Sequence, residues 1–141
     1  MSRRWVRHCS DSLRYLWASP ATLVGMTCAL PALASGARAR VHKGVIEVTG
    51  GRCGRLVGTF RAHCRFDAIT LGHVVLCVDE ATAASVRAHE RVHVRQYERF
   101  GVLFFVLYAG SSLAQWLRGG RAYFDNRFER EARALAGDQG C

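Results

Sequence analysis

Residues 17–35 carry no charge and read as a helix of 19 residues. At ~1.5 Å per residue such a helix reaches across a bilayer's hydrocarbon, although Gly25, Pro20 and Pro31 make it a weak span. It follows a basic, amphipathic start in which Arg3, Arg4, Arg7 and Arg14 stand beside Trp5, Tyr15 and Trp17, a pattern suited to a membrane interface. From Val41 the apolar period drops toward two. Residues 44–48 and 56–60 predict strands around a glycine-rich turn at 50–54, and 68–78, between Asp67 and Asp79, predicts the clearest strand. From Glu80 the period lengthens again: Val86, His89, His93, Tyr97 and Phe100 recur at 3-4-4-3 spacing, the stripe a helix buries. Arg87, Arg91, Arg95 and Arg99 form a ridge on the other side that is expected to face water or lipid phosphate. Asp79 is placed to cap this helix and Gly101 to end it. A second uncharged run, 101–117, predicts an interfacial or core-packed segment. Asp125 or Asn126 can cap a last helix over about 127–135, closed by Gly137. The expected fold class is α+β: an N-terminal apolar helix, a small antiparallel sheet, a central helix, an apolar segment and a C-terminal helix.

A chain of 141 residues suits one modest core, and its 50% hydrophobic content is high for a soluble protein. The organisation predicted is an N-terminal membrane anchor or interfacial segment at 1–37 followed by a domain at 38–141. A net charge of +9 would fit nucleic acid or an anionic membrane surface, but no helix-turn-helix, RNA-recognition or finger pattern is present. The basic residues cluster beside apolar runs, so membrane lipids are the expected partner and nucleic acid is not. Three fates compete for 17–35: an uncleaved signal anchor, a signal peptide cut after Ala32-Leu33-Ala34, or an interfacial or re-entrant segment. Arg38 and Arg40 beyond the cut disfavour export of a processed product. Of Cys9, Cys28, Cys53, Cys64, Cys77 and Cys141, none forms a C-x-x-C pair; Cys53 and Cys64 are the best-placed disulfide candidates, with free buried thiols as the default.

The central helix contains His89-Glu90-Arg91-Val92-His93. Two histidines four residues apart lie on one helical face, so both imidazoles can reach one metal ion with Glu90 beside them. On a zinc ion that carboxylate would take a proton from bound water. The bland alternative is a solvated surface helix, which the burial stripe opposes. A catalytic zinc takes three protein ligands, and Glu129 and Glu131 are the downstream candidates. Glu129 borders the apolar face made by Phe128, Ala132 and Leu135, whereas Glu131 points away. Asn126 and Glu129 also have the spacing of a capping box, in which Glu129 would only accept the cap's backbone N–H. Tyr97 and His73 are the candidates to stabilise a transition state, with a structural role the commoner fate of a lone strand histidine.

With Glu129-Arg130-Glu131-Ala132 on a second helix, the pattern resembles the gluzincin metallopeptidases, including their membrane-embedded bacterial members. That resemblance implies His89, His93 and Glu129 as ligands of Zn2+, Glu90 as the general base, and substrate pairing along the strand at 69–76. Arg133 stands where the group commonly has Asp. A closer resemblance, covering most of the chain from about Arg40, is to a family of small bacterial membrane proteins. It rests on Thr70-Leu71-Gly72-His73-Val74, on the run from His89 to Arg99, and on Asp125-Asn126 with Phe128-Glu129-Arg130-Glu131-Ala132; Arg127 replaces a usual Pro. The resemblance implies a bacterial inner-membrane location. The function expected is a membrane-associated zinc metallopeptidase that hydrolyses peptide or protein substrates through water bound to zinc and activated by Glu90. The rival expectations are a non-catalytic zinc-stabilised membrane module and a metal-free basic adaptor that binds lipid.

Overall fold

The structure, a computed structural model, describes residues 3–51 and 68–137, with side chains from residue 12 onward. The strand expected at 56–60 and the Cys53–Cys64 pair lie outside the described residues. Helix α1 (Arg3–Ala34) runs unbroken through Pro20 and Pro31. Strands β1 (Arg38–His42) and β2 (Val45–Thr49) form a hairpin, its turn made by Lys43 and Gly44, both at positive φ. Strands β3 (Ala68–Leu71) and β4 (Val74–Cys77) form a second hairpin, followed by α2 (Glu80–Phe100), α3 (Leu103–Leu117) and α4 (Arg127–Ala136).

The α+β class holds, but the sheet is mixed and not antiparallel. Its order is β1-β2-β4-β3, with β2 parallel to β4 and the two outer pairs antiparallel. Residues 68–78, expected as one strand, are two strands joined at Gly72 and His73. Gly72 supplies the positive φ of a two-residue turn, and a side chain there would collide with Thr22 of α1. His73 therefore lies in the turn. The parallel pair sits where parallel pairing is usually found, covered on both faces. Val74 and Leu76 pack with Val48 against Ala29 and Ala32 of α1. Val75 and Cys77 point the other way, toward Ala83 and Val94 of α2. That two-sided burial explains why Val74–Cys77 reads as a continuous apolar run.

α1 is thus part of the core. Its buried positions, Ala18, Ala21, Gly25, Ala29 and Ala32, repeat at 3-4-4-3 and are all small, which lets the helix axis approach the sheet closely. At Gly25 a Cβ would come within 2.7 Å of the Leu71 carbonyl oxygen. Near its start, Tyr15 stacks on His73 with ring centroids 4.2 Å apart, and the Thr22 hydroxyl accepts the His73 backbone N–H at 3.1 Å.

Asp79 caps α2 by accepting the Thr82 N–H at 2.7 Å. The helix stops at Gly101, whose φ of 60° and ψ of −144° suit glycine alone. There the chain turns by 116° into α3. α3 has 15 residues, about 22 Å at ~1.5 Å per residue, too short for ~30 Å of hydrocarbon. Its inner face brings Phe104 and Tyr108 back over α2, while Leu103, Val106, Leu107, Leu113 and Trp116 face outward. The inner face is the core-packed arrangement expected of this run; the outer face is apolar and exposed. The arginine ridge departs from expectation in its first half. Arg87 grips Glu47 of β2 with two hydrogen bonds, at 2.7 and 2.8 Å, and Arg91 donates to the His42 carbonyl; Arg95 and Arg99 are exposed. The buried Glu47 carboxylate recruited Arg87, because an unpaired charge there is costly.

Candidate metal centre

The two imidazoles of α2 meet the carboxylate of α4. His89 Nε2 and His93 Nε2 are 3.1 Å apart, and each lies 3.1–3.2 Å from an oxygen of Glu129. All three residues are buried, and one ligand atom from each falls within 4.8 Å of the other two, so the group could hold a metal ion. The 116° turn and α3 make this possible, by returning the chain to the same side of α2.

The ring orientation of His93 follows from its neighbour Gln96. The Gln96 amide NH2 donates to the Phe128 carbonyl at 3.2 Å and to Glu131 at 2.9 Å, which leaves its oxygen facing His93 Nδ1 at 2.8 Å. An oxygen there requires the proton on Nδ1, so in neutral His93 it is Nε2 that presents a lone pair to the centre. Two imidazole nitrogens and a carboxylate converge, and only a proton or a cation reconciles them. The donor set suits a divalent metal ion.

α4 begins at Asn126, fully buried, whose side chain accepts the Phe128 N–H and donates to the Tyr108 carbonyl and the Ser112 hydroxyl. The Asn126 backbone N–H goes to the Tyr123 carbonyl, so Glu129 is not the partner in a capping box. Its second oxygen accepts the Tyr108 hydroxyl at 2.6 Å. Burial works against the Glu129 charge, but the bonds from His89 and His93, the charge of His93 and the Tyr108 hydroxyl outweigh it and hold this carboxyl well below the usual range. Arg133, where the resembled group has Asp, donates to the Phe124 carbonyl and comes within 4.0 Å of Glu129. Glu131, the rival ligand, turns to Gln96.

Glu90 is buried beside the centre. Its carboxylate accepts the Thr70 hydroxyl of β3 at 2.5 Å, which ties it to the outer strand of the described sheet. It shares with His93 and Glu129 one wall of a cavity of about 370 Å³. The other walls include Ile69 and Leu71 of β3, Tyr97 of α2, Phe104 and Tyr108 of α3, and Tyr123. His73 does not reach this cavity: it is held by Thr22, Tyr15 and Glu98, and so has the structural role. Of the residues that sequence alone missed, only Gln96 had a readable signal, three positions from His93 on the same face. Thr70, Tyr108 and Tyr123 arrive through tertiary packing.

In the metal-free protein burial of His93 favours its neutral form, but the Glu129 bond, the charges of Glu90 and Glu129 and the Gln96 bond outweigh it and push its pKa from 6.5 up to about 8. A raised histidine pKa stabilises the fold below its ordinary value, and that contribution is lost as pH rises through 8. A metal needs the same lone pair, so the proton competes with it. Metal affinity is expected to be level above pH 8 and to fall by roughly tenfold per unit from pH 8 to pH 6. Competition titrations with a chromophoric chelator at each pH measure this; a flat profile would remove His93 from the ligand set.

Comparison of the chain with protein families, curated proteins and solved structures finds no match.

Proposed function

We propose that the chain is a membrane-associated zinc-dependent peptide hydrolase, with His89, His93 and Glu129 holding the ion and Glu90 as the general base. The observation that carries this reading is the convergence of three buried donor atoms beside a cavity that also exposes a fourth, carboxylate-bearing residue. The donor set supports zinc: two imidazoles and a carboxylate are one of the sets that a catalytic zinc takes, with a fourth position left for water. Bound zinc would supply Lewis acidity, making water more acidic and a carbonyl more electrophilic.

The chain's own groups then have distinct tasks. Glu90, aimed by Thr70, accepts a proton from the attacking water and delivers it to the departing amine nitrogen. Tyr108 positions Glu129 through its hydroxyl. Burial raises the pKa values of Tyr108 and Tyr123, which keeps both phenols protonated as donors at neutral pH. β3 is an outer strand among the described residues and flanks the cavity, a place where a substrate backbone can pair. Tyr97 and Tyr123 line the cavity, Tyr123 with its hydroxyl bonded to Glu129, whereas His73 lies outside it.

Metal analysis of the purified chain against Glu129→Ala tests the proposal. One equivalent of zinc is expected in the wild type, with affinity in the variant lower by about a hundredfold or more, in line with loss of a direct ligand. Equal zinc content in the two would overturn the assignment.

A further inference from the structure

The outer faces of α1 and α3 present a surface that nothing among the described residues covers. On α1 the inward positions are alanines and a glycine, while Leu13, Leu16, Trp17, Leu23, Val24 and Leu30 point away from the core, with Leu16 70% exposed. Small residues inside and large apolar ones outside is the reverse of a soluble helix. α3 repeats the pattern, with Val106 70% and Trp116 65% exposed. The two faces are continuous, because Trp17 lies against Gly101, from which Val102 and Leu103 lead into α3.

α1 is long enough to cross a bilayer over Ser12–Ala34, yet its contacts argue against a crossing. From Tyr15 to Ala32 it touches the turn at His73, the aromatic cluster of α2 and α3, and strands β2 and β4 in succession. Carrying α1 through hydrocarbon would carry the sheet with it, including β1, whose five residues are exposed and include Arg38 and Arg40. Polar strand edges do not survive in lipid. A helix lying flat avoids this, with its outer side in the acyl boundary and the domain above it in water.

We infer that α1 and α3 together form one lipid-docking surface that lies in the plane of an anionic membrane, without crossing it. The inference rests on the membrane-associated reading above and not on hydrolysis. Charge names the lipid: the chain carries +9, and exposed Arg99 and Arg118 border the two ends of the α3 face, where anionic headgroups would meet them.

The test is the depth of α1 in vesicles of mixed zwitterionic and anionic phospholipid. Leu16→Trp, Leu23→Trp and Leu30→Trp are made singly in a chain whose native tryptophans are replaced by Phe, and quenched by lipids brominated at different depths. All three positions are expected at one shallow depth, roughly 5–10 Å into the headgroup and acyl boundary. A profile in which position 23 is deepest, near the bilayer centre, would mean that α1 crosses, and would overturn the flat arrangement while leaving membrane association intact. Quenching at none of the three would overturn both and assign the surface to a protein partner. A second measurement uses the unaltered chain: alkaline extraction of membranes should release it, and retention would also mean a crossing. EDTA should change neither result, so failure of the metal centre is read separately.

Discussion

Glu90→Gln is expected to keep one equivalent of zinc while lowering peptide hydrolysis by roughly 10²–10⁴-fold, the usual contribution of a positioned proton carrier. The substitution is nearly isosteric. The amide oxygen can still accept the Thr70 hydroxyl now bonded to the carboxylate at 2.5 Å, so the link between α2 and β3 persists. What disappears is basicity, in a side chain that lines the same cavity as His93 and Glu129. Metal content by elemental analysis, paired with mass-spectrometric detection of cleaved bonds in a peptide mixture, separates three situations. Loss of cleavage with zinc retained supports Glu90 as the base. Unchanged cleavage with zinc retained would exclude it. A chain that binds zinc and cleaves nothing, in wild type and variant alike, would be a module in which the ion merely fastens α4 to α2. The buried Gln96 bridge between those helices makes that rival concrete.

How far the sequence could anticipate this arrangement varied with the kind of information each feature needs. The stripe of His89, His93 and Tyr97 was legible because helical period is local, and so were the cap at Asp79 and, as one of two candidates with Asp125, the cap at Asn126. Glu129 needed more, since its distance from His93 depends on a 116° turn and a return loop, neither of which a periodic pattern encodes. Strand direction was invisible for a similar reason: a period of two says which face a residue takes but not which way its neighbour runs. The apolar run from Ile69 to Val78 hid a hairpin because β4 is buried on both faces, so alternation vanished there. Gly72 was the available cue. β1 escaped notice because it is exposed on both sides and rich in arginine. The first half of the arginine ridge looked solvent-bound because Glu47, the group that captures Arg87, lies forty positions away.

Removing residues 1–34 is expected to abolish cooperative folding, and not merely to detach a leader. Ala18, Ala21, Ala29 and Ala32 are each at most 1% exposed, and together they cover Val48, Val74, Leu76, Tyr97, Phe104 and Phe128. Full burial of such side chains is worth ~1.5–3 kcal/mol each, so losing half the cover of six costs about 5–9 kcal/mol. That is comparable to the whole stability of a typical domain, ~5–15 kcal/mol. Added to it are the hydroxyl of Thr22, which satisfies the His73 backbone N–H, and the stacked ring of Tyr15. The cluster opened by the loss includes Phe104 and Phe128, which sit immediately beside the metal ligands, so zinc binding should fail together with the fold. Circular dichroism and metal analysis of a chain beginning at Ser35 decide the matter. A cooperative melt near the full-length Tm with one equivalent of zinc would show that the helix is dispensable and restore the reading of 17–35 as a cleaved signal. Loss of both signals, with rescue when a peptide of residues 1–34 is supplied in detergent, would make α1 a working part of the domain that the bilayer and the site share.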